Sequence, residues 1–585
     1  MFEKIIYIND EGASIKVKEG AQLVTNLMNL HVIFEDDKKK ILGEIDDISE
    51  DTVKARFLGE FQNNRFVGGV IRKPNLNATV RIITPEEMNL IVGQKTQSNM
   101  LLGSSPLYDN CDIRVDINNL FSNHMAIMGN SGSGKSCGVA RLLQNVFLDP
   151  SFIPYRANFF IFDSSGEYRN AFQNLNEINP NYHYKFYTTN YNEPNTEQLK
   201  IPLWLLNTDD FALLLSVNSH SQLPIIERMC KLVYVFHQKD MNATEYKNHI
   251  IAKAIMTVLY SNETSTSKRN DIFSIIASCS TPNFNLEAEV QGIGYTRKFR
   301  DCFAIDSNGQ FSESVLITKY ISEFIHPELD NYEPSENTFF TLEDLEKALN
   351  FTLISEGWLR NENTYSDAVT IRVRLHALIT GPCAKYFQCR NYMSLTQFIS
   401  SLIMTSDGKH KCQVVNFNLD DVDDSFAKSV TKIFSRILFD FCKNLKDRGS
   451  LPFNLFLEEA HRYIQHDTDE FILGYNIFDR IAKEGRKYGV IMNLISQRPV
   501  EISETVISQC SNFMIFKMNH PRDIDYIKKM VPNISEEIVE KQKTLQPGTC
   551  MAFGTAFQIP LIVHMQMPDP APYSGNADVF ARWTA

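Results

Sequence analysis

The sequence predicts an α/β fold: a nucleotide-binding core, preceded by a small β-barrel or sandwich and interrupted by a mainly helical insertion. Three observations predict it. A glycine-rich loop, Gly129-Asn-Ser-Gly-Ser-Gly-Lys135-Ser136, lies between a short apolar strand and a stretch with helical spacing. Continuous apolar runs of the buried parallel type alternate with amphipathic stretches on both sides of residues 206–365. Residues 1–100 instead carry short β-rich runs divided by charged or Gly/Pro/Asn punctuation.

In chain order, the N-terminal strands are expected at Lys4–Ile8, Ser14–Val17, Val32–Phe34, Val53–Phe57, Val67–Ile71 and Thr79–Ile83. His124-Met-Ala-Ile-Met128 runs as a strand into the glycine loop, Cys137–Phe147 has helical periodicity, and Ala157–Phe162 is a buried strand. Strand, loop, helix, strand opens an α/β nucleotide-binding domain. The insertion holds helical segments at Pro224–His237, Glu245–Leu259, Leu316–Phe324 and Leu342–Asn350, with a polar piece at Asn262–Asn270. Alternation then resumes with strands at Val414–Asn418, Phe453–Leu457, Val490–Ile495, Asn512–Lys517, Gly548–Phe553 and Ile559–Met565. Helices are expected at Ser425–Lys443 and Phe471–Lys487. The resulting organisation is 1–100 β-barrel, 101–205 first part of the core, 206–365 insertion, 366–567 second part of the core, and 568–585 an irregular tail.

A chain of 585 residues is too long for one ordinary core. With 43% hydrophobic and 22% charged residues it is not a disordered chain. The net charge of −12 provides no overall basic footprint for nucleic acid, although a ring can line its pore with basic residues beneath an acidic exterior. The start, Met-Phe-Glu-Lys-Ile-Ile-Tyr, lacks a secretory pattern, and no apolar run approaches the roughly 18 residues of a membrane span. A cytoplasmic protein without a membrane association is expected. The eleven cysteines are odd in number and scattered, and Cys383 and Cys389 lack zinc-knuckle spacing, so free buried thiols are expected. Cys137, next to the loop, reads either as a reactive thiol or as a packing residue, with packing favoured.

The chemistry sits at four strand ends. Gly129, Gly132 and Gly134 allow the loop to curl so that its N–H groups, from Gly129, Asn130, Ser131, Gly132, Ser133 and Gly134 through Cys137, face phosphate oxygens. The following helix adds its positive end. Lys135 would reach the β- and γ-phosphates of ATP and Ser136 would offer a hydroxyl to Mg²⁺. Hydrolysis also needs acids on another strand. Glu458 and Glu459 end the apolar run Phe453–Leu457, Glu458 for the Mg²⁺ water shell and Glu459 to polarise the attacking water. Asp163-Ser-Ser-Gly166-Glu167-Tyr168 has two readings, acids beside the γ-phosphate or a plain capped turn. Gln497, in Ser496-Gln-Arg-Pro499, would sense the γ-phosphate or orient water. Arg486, in Lys483-Glu-Gly-Arg486-Lys487, reads as an arginine finger supplied to a neighbour or as a solvated basic helix end.

With these blocks in hand, the sequence resembles the HerA/FtsK group of ring-forming DNA-pumping ATPases, and HerA in particular. The resemblance rests on His124–Ser136, Phe162–Tyr168, Ile201-Pro-Leu-Trp-Leu-Leu206, Leu457-Glu-Glu-Ala-His461, Glu484-Gly-Arg-Lys-Tyr-Gly-Val490, Ser496–Pro499 and Ser508-Gln-Cys510. It covers about half the chain. It implies a RecA-like core, a homo-hexamer with ATP sites at subunit interfaces, double-stranded DNA through the pore, and a C-terminal tail bracing the neighbouring subunit. It also implies catalytic positions at Lys135, Ser136, Glu459 and Gln497 and a trans-acting Arg486. HerA proteins work with partners, either a NurA-type nuclease in DNA-end processing or, in antiphage operons, a nuclease or a sirtuin-type NADase. This chain has no effector motif of its own, so a partner docking on the N-terminal barrel is implied, with antiphage defence the favoured setting. A scaffold that assembles and gates that partner is the alternative. One departure stands out: the family carries Asp-Glu where this chain has Glu458-Glu459, which carries the first carboxylate about 1.5 Å further.

Overall fold

The computed structural model of the chain describes all residues except 19–26, 37–38, 50, 64, 109, 194–195, 238–240, 333–338, 357, 359–361, 466–468, 531–535, 576–577 and 585. The chain forms two compact units. One comprises residues 1–197, 399–466 and 477–585, and the other residues 198–398 and 467–476.

The first unit begins with a curled antiparallel sheet of β1 (Phe2–Ile8), β2 (Gly12–Val17), β3 (His31–Asp36), β4 (Lys39–Ile48), β5 (Thr52–Gln62), β6 (Arg65–Gly68) and β7 (Thr79–Ile82). Its order is β1-β2-β5-β4-β3-β7, with β6 paired to β5. The two end strands, β1 and β7, approach each other without a ladder, so the sheet is a half-barrel. Alternation along β2, Ala13, Ile15 and Val17 inward, sends one face onto a core with Val32, Phe34, Ile41 and Val53. Lys39–Ile48 was not expected as a strand. Its Lys39-Lys40 start hides the apolar Ile41, Leu42 and Ile45, all fully buried.

The chain then adds β8 (Asn99–Ser105), β9 (Cys111–Asp116), β10 (Met125–Met128), β11 (Phe159–Asp163), β12 (Tyr184–Thr188) and the two-residue β13 (Glu197–Gln198). Among its described residues the second unit is mainly helical, with a hairpin of β14 (Glu289–Gly292) and β15 (Tyr295–Lys298). Its helices Leu223–His237 and Leu342–Ser355 pack on each other. They do so because Ile225, Ile226, Met229, Leu232 and Val233 recur at three- and four-residue spacing opposite Leu345, Ala348 and Leu349. Two segments differ from expectation. The polar piece runs into a helix, Ser265–Cys279, capped by Thr264, whose side chain accepts from Ser267 N. Helical structure also continues through Glu362–Thr380, where the sequence resumes the core. Both helices have weak amphipathic contrast, so their period is faint in one dimension.

The core resumes with β16 (Val414–Asn418), β17 (Phe453–Leu457), β18 (Val490–Ser496), β19 (Asn512–Phe516), β20 (Thr549–Gly554) and β21 (Leu561–His564). The large sheet has the order β13-β12-β16-β11-β17-β18-β10-β19-β20-β21-β8-β9. Strands from β12 to β19 run parallel, and β19-β20-β21-β8-β9 run antiparallel. The parallel strands are buried along their whole length at β10, β11, β16, β17, β18 and β19. That is why they read as unbroken apolar runs. The fold is therefore α/β with a RecA-like core and an N-terminal half-barrel. The expected helix Phe471–Lys487 is two, Asp469–Leu473 and Ile477–Tyr488, divided at Gly474 with φ 77°.

Registers set the site. Met128 pairs with Ser496, Leu457 with Leu494, Phe162 with Leu457, and Asp163 with Asn418. The carboxyl ends of β10, β18, β17 and β11 thus lie side by side at one edge, where open α/β sheets place their ligands.

Candidate functional site

The glycine loop leaves β10 between β18 and β19 and is tied to the ends of both. Gly129 N donates to Ser496 O (3.2 Å), Asn130 N to Lys517 O (3.0 Å) and Ser133 N to Asn130 O (3.2 Å), so these three N–H groups hold the loop in place instead of facing phosphate as expected. Gly134 has φ 91°, and a Cβ there would lie 2.5 Å from Gly548 N, whose N–H donates to Ser133 O at 3.0 Å. Conformation and space both require glycine at that position. The helix Lys135–Leu148 starts directly after it.

Lys135 Nζ is buried and only loosely engaged, 3.5 Å from Gly129 O and 3.9 Å from Glu459 Oε1. Burial lowers its pKa, against the raising effect of Glu459, Glu458 and Glu167. A desolvated ammonium with such long contacts is a poised anion-binding charge. Glu459 Oε1 accepts from Gln497 Nε2 (3.1 Å), and Gln497 Oε1 accepts from Ser131 Oγ (2.8 Å). One polar chain therefore links the loop (Ser131, Lys135), the acid after β17 and the amide after β18. His461 Nδ1 flanks it, 3.1 Å from Glu459 Oε2 and 3.2 Å from the Ser496 hydroxyl. Burial lowers the His461 pKa, outweighing the adjacent Glu459 charge.

Glu458 has a different setting. Its Oε2 accepts from Ser164 N (2.9 Å), Ser164 Oγ (2.9 Å) and Ser165 N (3.2 Å). Asp163 Oδ1 accepts from Glu167 N (3.0 Å), and Oδ2 accepts from Tyr168 N (2.9 Å) and Asn416 Nδ2 (3.2 Å). Both acids are buried, Asp163 at 0% and Glu458 at 3% exposure. Burial raises both pKa values, and the Asp163 charge pushes Glu458 further up. Asp163 thus performs the capped turn of its two readings, and Glu458 is tied to residues 164–165. The acid beside the Ser136 hydroxyl is Glu167: burial raises its pKa and Ser136 opposes the rise. The sequence offered Glu167 only as one acid of its motif, and Ser164 and His461 were not singled out as site residues. Their signal lies in Asp163-Ser-Ser-Gly-Glu and Glu-Glu-Ala-His as contiguous blocks.

Arg486 is not brought to these groups within the chain. It is exposed, in the last turn of Ile477–Tyr488, just before the first residue of β18, whereas Gln497 follows the last. The seven residues of β18 separate them by about 20 Å at 3.3 Å per residue. At that opposite edge Arg486 lines a pocket of about 640 Å³ with Phe121, Phe152, Tyr155 and Ile491.

The C-terminal segment borders the site in cis. Gln566 Oε1 accepts from Arg141, Asp569 N donates to Gln144 Oε1 (3.1 Å), and Pro570 O accepts from Gln144 Nε2 (2.9 Å). Ala571 O accepts from Asn170 Nδ2 (2.8 Å), Tyr573 N donates to Glu167 O (2.8 Å), and Ser574 Oγ lies 3.6 Å from Cys137 Sγ. Positions 137, 141 and 144 share one face of the loop's helix. The segment therefore crosses that face, and its last anchors lie nearest the loop. Beyond it the tail ends in a short helix, Val579–Thr584, with Phe580 and Trp583 exposed.

Residues 101–287 match the family model described as the central domain of helicase HerA. The DNA double-strand break repair helicase HerA of Saccharolobus solfataricus is 30% identical over 195 residues, 33% of this chain and 38% of that protein. HerA of Sulfurisphaera tokodaii is 29% identical over 195 residues, 33% of this chain and 39% of that protein. These matches span well under half the length of either relative. Among solved structures, VirB4 of Thermoanaerobacter pseudethanolicus is 11% identical, with a TM-score of 0.46 over 81% of this chain and 98% of that one. The conjugative coupling protein TrwB is 12% identical, with a TM-score of 0.42 over 85% and 95%. The resemblance to HerA carried by the motifs thus extends to overall sequence similarity across the matched residues.

Proposed function

We propose that this chain is an ATP-hydrolysing ring motor of HerA type that moves double-stranded DNA and works with a partner effector. The observation that carries the reading is the convergence of Lys135, Glu459, Gln497 and Ser131 at adjacent strand ends, beside the glycine loop.

The residues fit a nucleotide with Mg²⁺. Among the described residues, the buried atoms Ser133 Oγ, in the loop, and Glu167 Oε2, on the acid beside Ser136, have no hydrogen-bond partner. Among the described residues no cluster of His, Cys, Asp or Glu side chains forms a metal cage by itself. Ser136 would therefore hold Mg²⁺ together with phosphate oxygens and waters, the usual mode for this ion, with Glu167 or Glu458 binding its water shell. Mg²⁺ supplies charge neutralisation on the phosphates. Lys135 binds the terminal phosphates, Glu459 takes the proton of the attacking water, and Gln497 orients that water while its Nε2 hydrogen bond places Glu459. Arg486 acts on a neighbour's site. Its position at the far edge of its own sheet supports a closed assembly, for which a homo-hexamer with DNA in the pore is the reading. The test is ATP turnover with and without double-stranded DNA, for wild type and Lys135→Ala, together with the native mass. Turnover no higher than that of Lys135→Ala in both conditions would sink the enzyme, and a monomeric mass would sink the ring.

A second reading, a nucleotide-gated scaffold for a nuclease or sirtuin-type NADase in antiphage defence, is favoured by one observation. Lys541 Nζ bonds Glu44 of the half-barrel at 2.6 Å, and its neighbour Gln542 exchanges hydrogen bonds with Met518 N (2.7 Å) and O (3.2 Å), one residue from the strand end that holds Asn130. A partner docked on the half-barrel would thus share a physical link with the glycine loop. If nucleotide leaves the affinity of the co-encoded partner unchanged, gating is refuted.

A further inference from the structure

The segment Gln566–Ser574 has no part in the roles assigned above, yet it is anchored at six successive points. Its last anchors fall on Glu167, beside Ser136, and on Cys137, where the loop turns into helix. A nucleotide laid with its terminal phosphate toward Glu459 and Gln497 sends its α-phosphate, ribose and base out past Ser136 and Cys137. Tyr573 stands there with its main chain held by Glu167 O, while its side chain belongs to a residue 65% exposed. An aromatic ring left in solvent on a backbone pinned beside a phosphate loop has a chemically specific use, since a base has an apolar π-face and the ring offers a flat partner at little entropic cost.

We infer that Gln566–Ser574 is the base-side wall of the nucleotide site and that a purine base stacks on Tyr573. This rests on the reading of Gly129–Ser136 as a nucleotide site. Stacking does not read the hydrogen-bonding edge of the base, so ATP and GTP should respond together.

The experiment is calorimetric titration of the full chain with ATP, GTP and inorganic tripolyphosphate, for wild type, Tyr573→Ala, Tyr573→Phe and Lys135→Ala. Tyr573→Ala should weaken ATP and GTP about tenfold and leave tripolyphosphate unchanged, while Tyr573→Phe keeps wild-type affinity. Wild-type ATP affinity in Tyr573→Ala, or equal losses of ATP and tripolyphosphate, overturns the stacking role. A wild type that binds tripolyphosphate no better than Lys135→Ala overturns the loop reading itself, a result separate from any effect at Tyr573.

Discussion

Glu459 holds φ 48° and ψ 47°, a left-handed conformation in a residue with a full side chain. Such backbone costs about 1–3 kcal/mol and persists where surroundings over-determine it, as at functional sites. Here Gln497 holds the carboxylate at Oε1 and His461 flanks Oε2, with Lys135 3.9 Å away. Because Glu458 is occupied by Ser164 and Ser165, Glu459 is the acid of that pair left facing the loop. Glu459→Gln keeps the shape and removes the base. It should lower kcat by a factor of about 10²–10⁴ while ATP Kd, by calorimetry, stays within about threefold. Undiminished kcat would show that another group takes the proton. Gln497→Ala should also lower kcat, with loss of the Ser131 and Glu459 contacts measured as a rise in KM no larger than the fall in kcat.

Element geometry explains the Glu484-Gly-Arg block. A Cβ on Gly485 would lie 2.4 Å from Val490 O and 2.9 Å from Ile481 Cγ2, so the helix Ile477–Tyr488 approaches the start of β18 only with glycine there. Gly485→Ala should lose about 1–3 kcal/mol of stability, seen as a lowered Tm, although alanine is the better helix former. A second element-level prediction concerns the junction of the half-barrel with the core. His31 is fully buried, its Nδ1 lies 2.6 Å from Tyr108 Oη, and Glu44, Lys541 and Arg56 face it. Burial lowers its pKa to about 4, with Lys541 and Arg56 lowering and Glu44 raising. Between about pH 6.5 and 4 the unfolded chain binds the proton that the folded one refuses, so stability falls as pH falls through that window. From pH 7 to 5 this amounts to about 2 kcal/mol, and His31→Gln should remove that share of the acid sensitivity in urea unfolding. Equal losses in both proteins would refute it. The core strands and the loop were legible because buried parallel strands are apolar throughout and strand-end motifs are local. The half-barrel strand Lys39–Ile48, the helix Glu362–Thr380 and the strap at Gln566–Ser574 were not, since charge, weak amphipathy and main-chain anchoring leave little trace in one dimension. Glu167 and Arg486 each had two readings because only registers of the sheet say which edge a residue occupies.

At the scale of the assembled molecule, the two edges of the core sheet divide the proposed catalytic set. Lys135, Glu459 and Gln497 lie at the carboxyl edge, and Arg486 lies at the amino edge, about 20 Å away along β18. No side chain bridges that distance, so if Arg486 serves catalysis it serves another copy, and each complete site draws on two chains. This makes a mixing experiment decisive. Lys135→Ala and Arg486→Ala should each be inactive alone, the first for want of the phosphate-binding charge and the second because no chain offers the arginine. In a co-assembled mixture, an Arg486→Ala subunit carries an intact loop and a Lys135→Ala subunit an intact arginine. Wherever they adjoin in the right order, the interface is whole. Random assembly of equal amounts makes about one interface in four complete, so turnover should return to a fraction of wild type of that order if interfaces act independently. Cooperative firing around a ring would lower the recovery without abolishing it. An Arg486→Ala protein with wild-type turnover would return Arg486 to the solvated helix end of its other reading. A mixture verified as co-assembled by native mass yet inactive at every ratio would show that the arginine does not complement in trans.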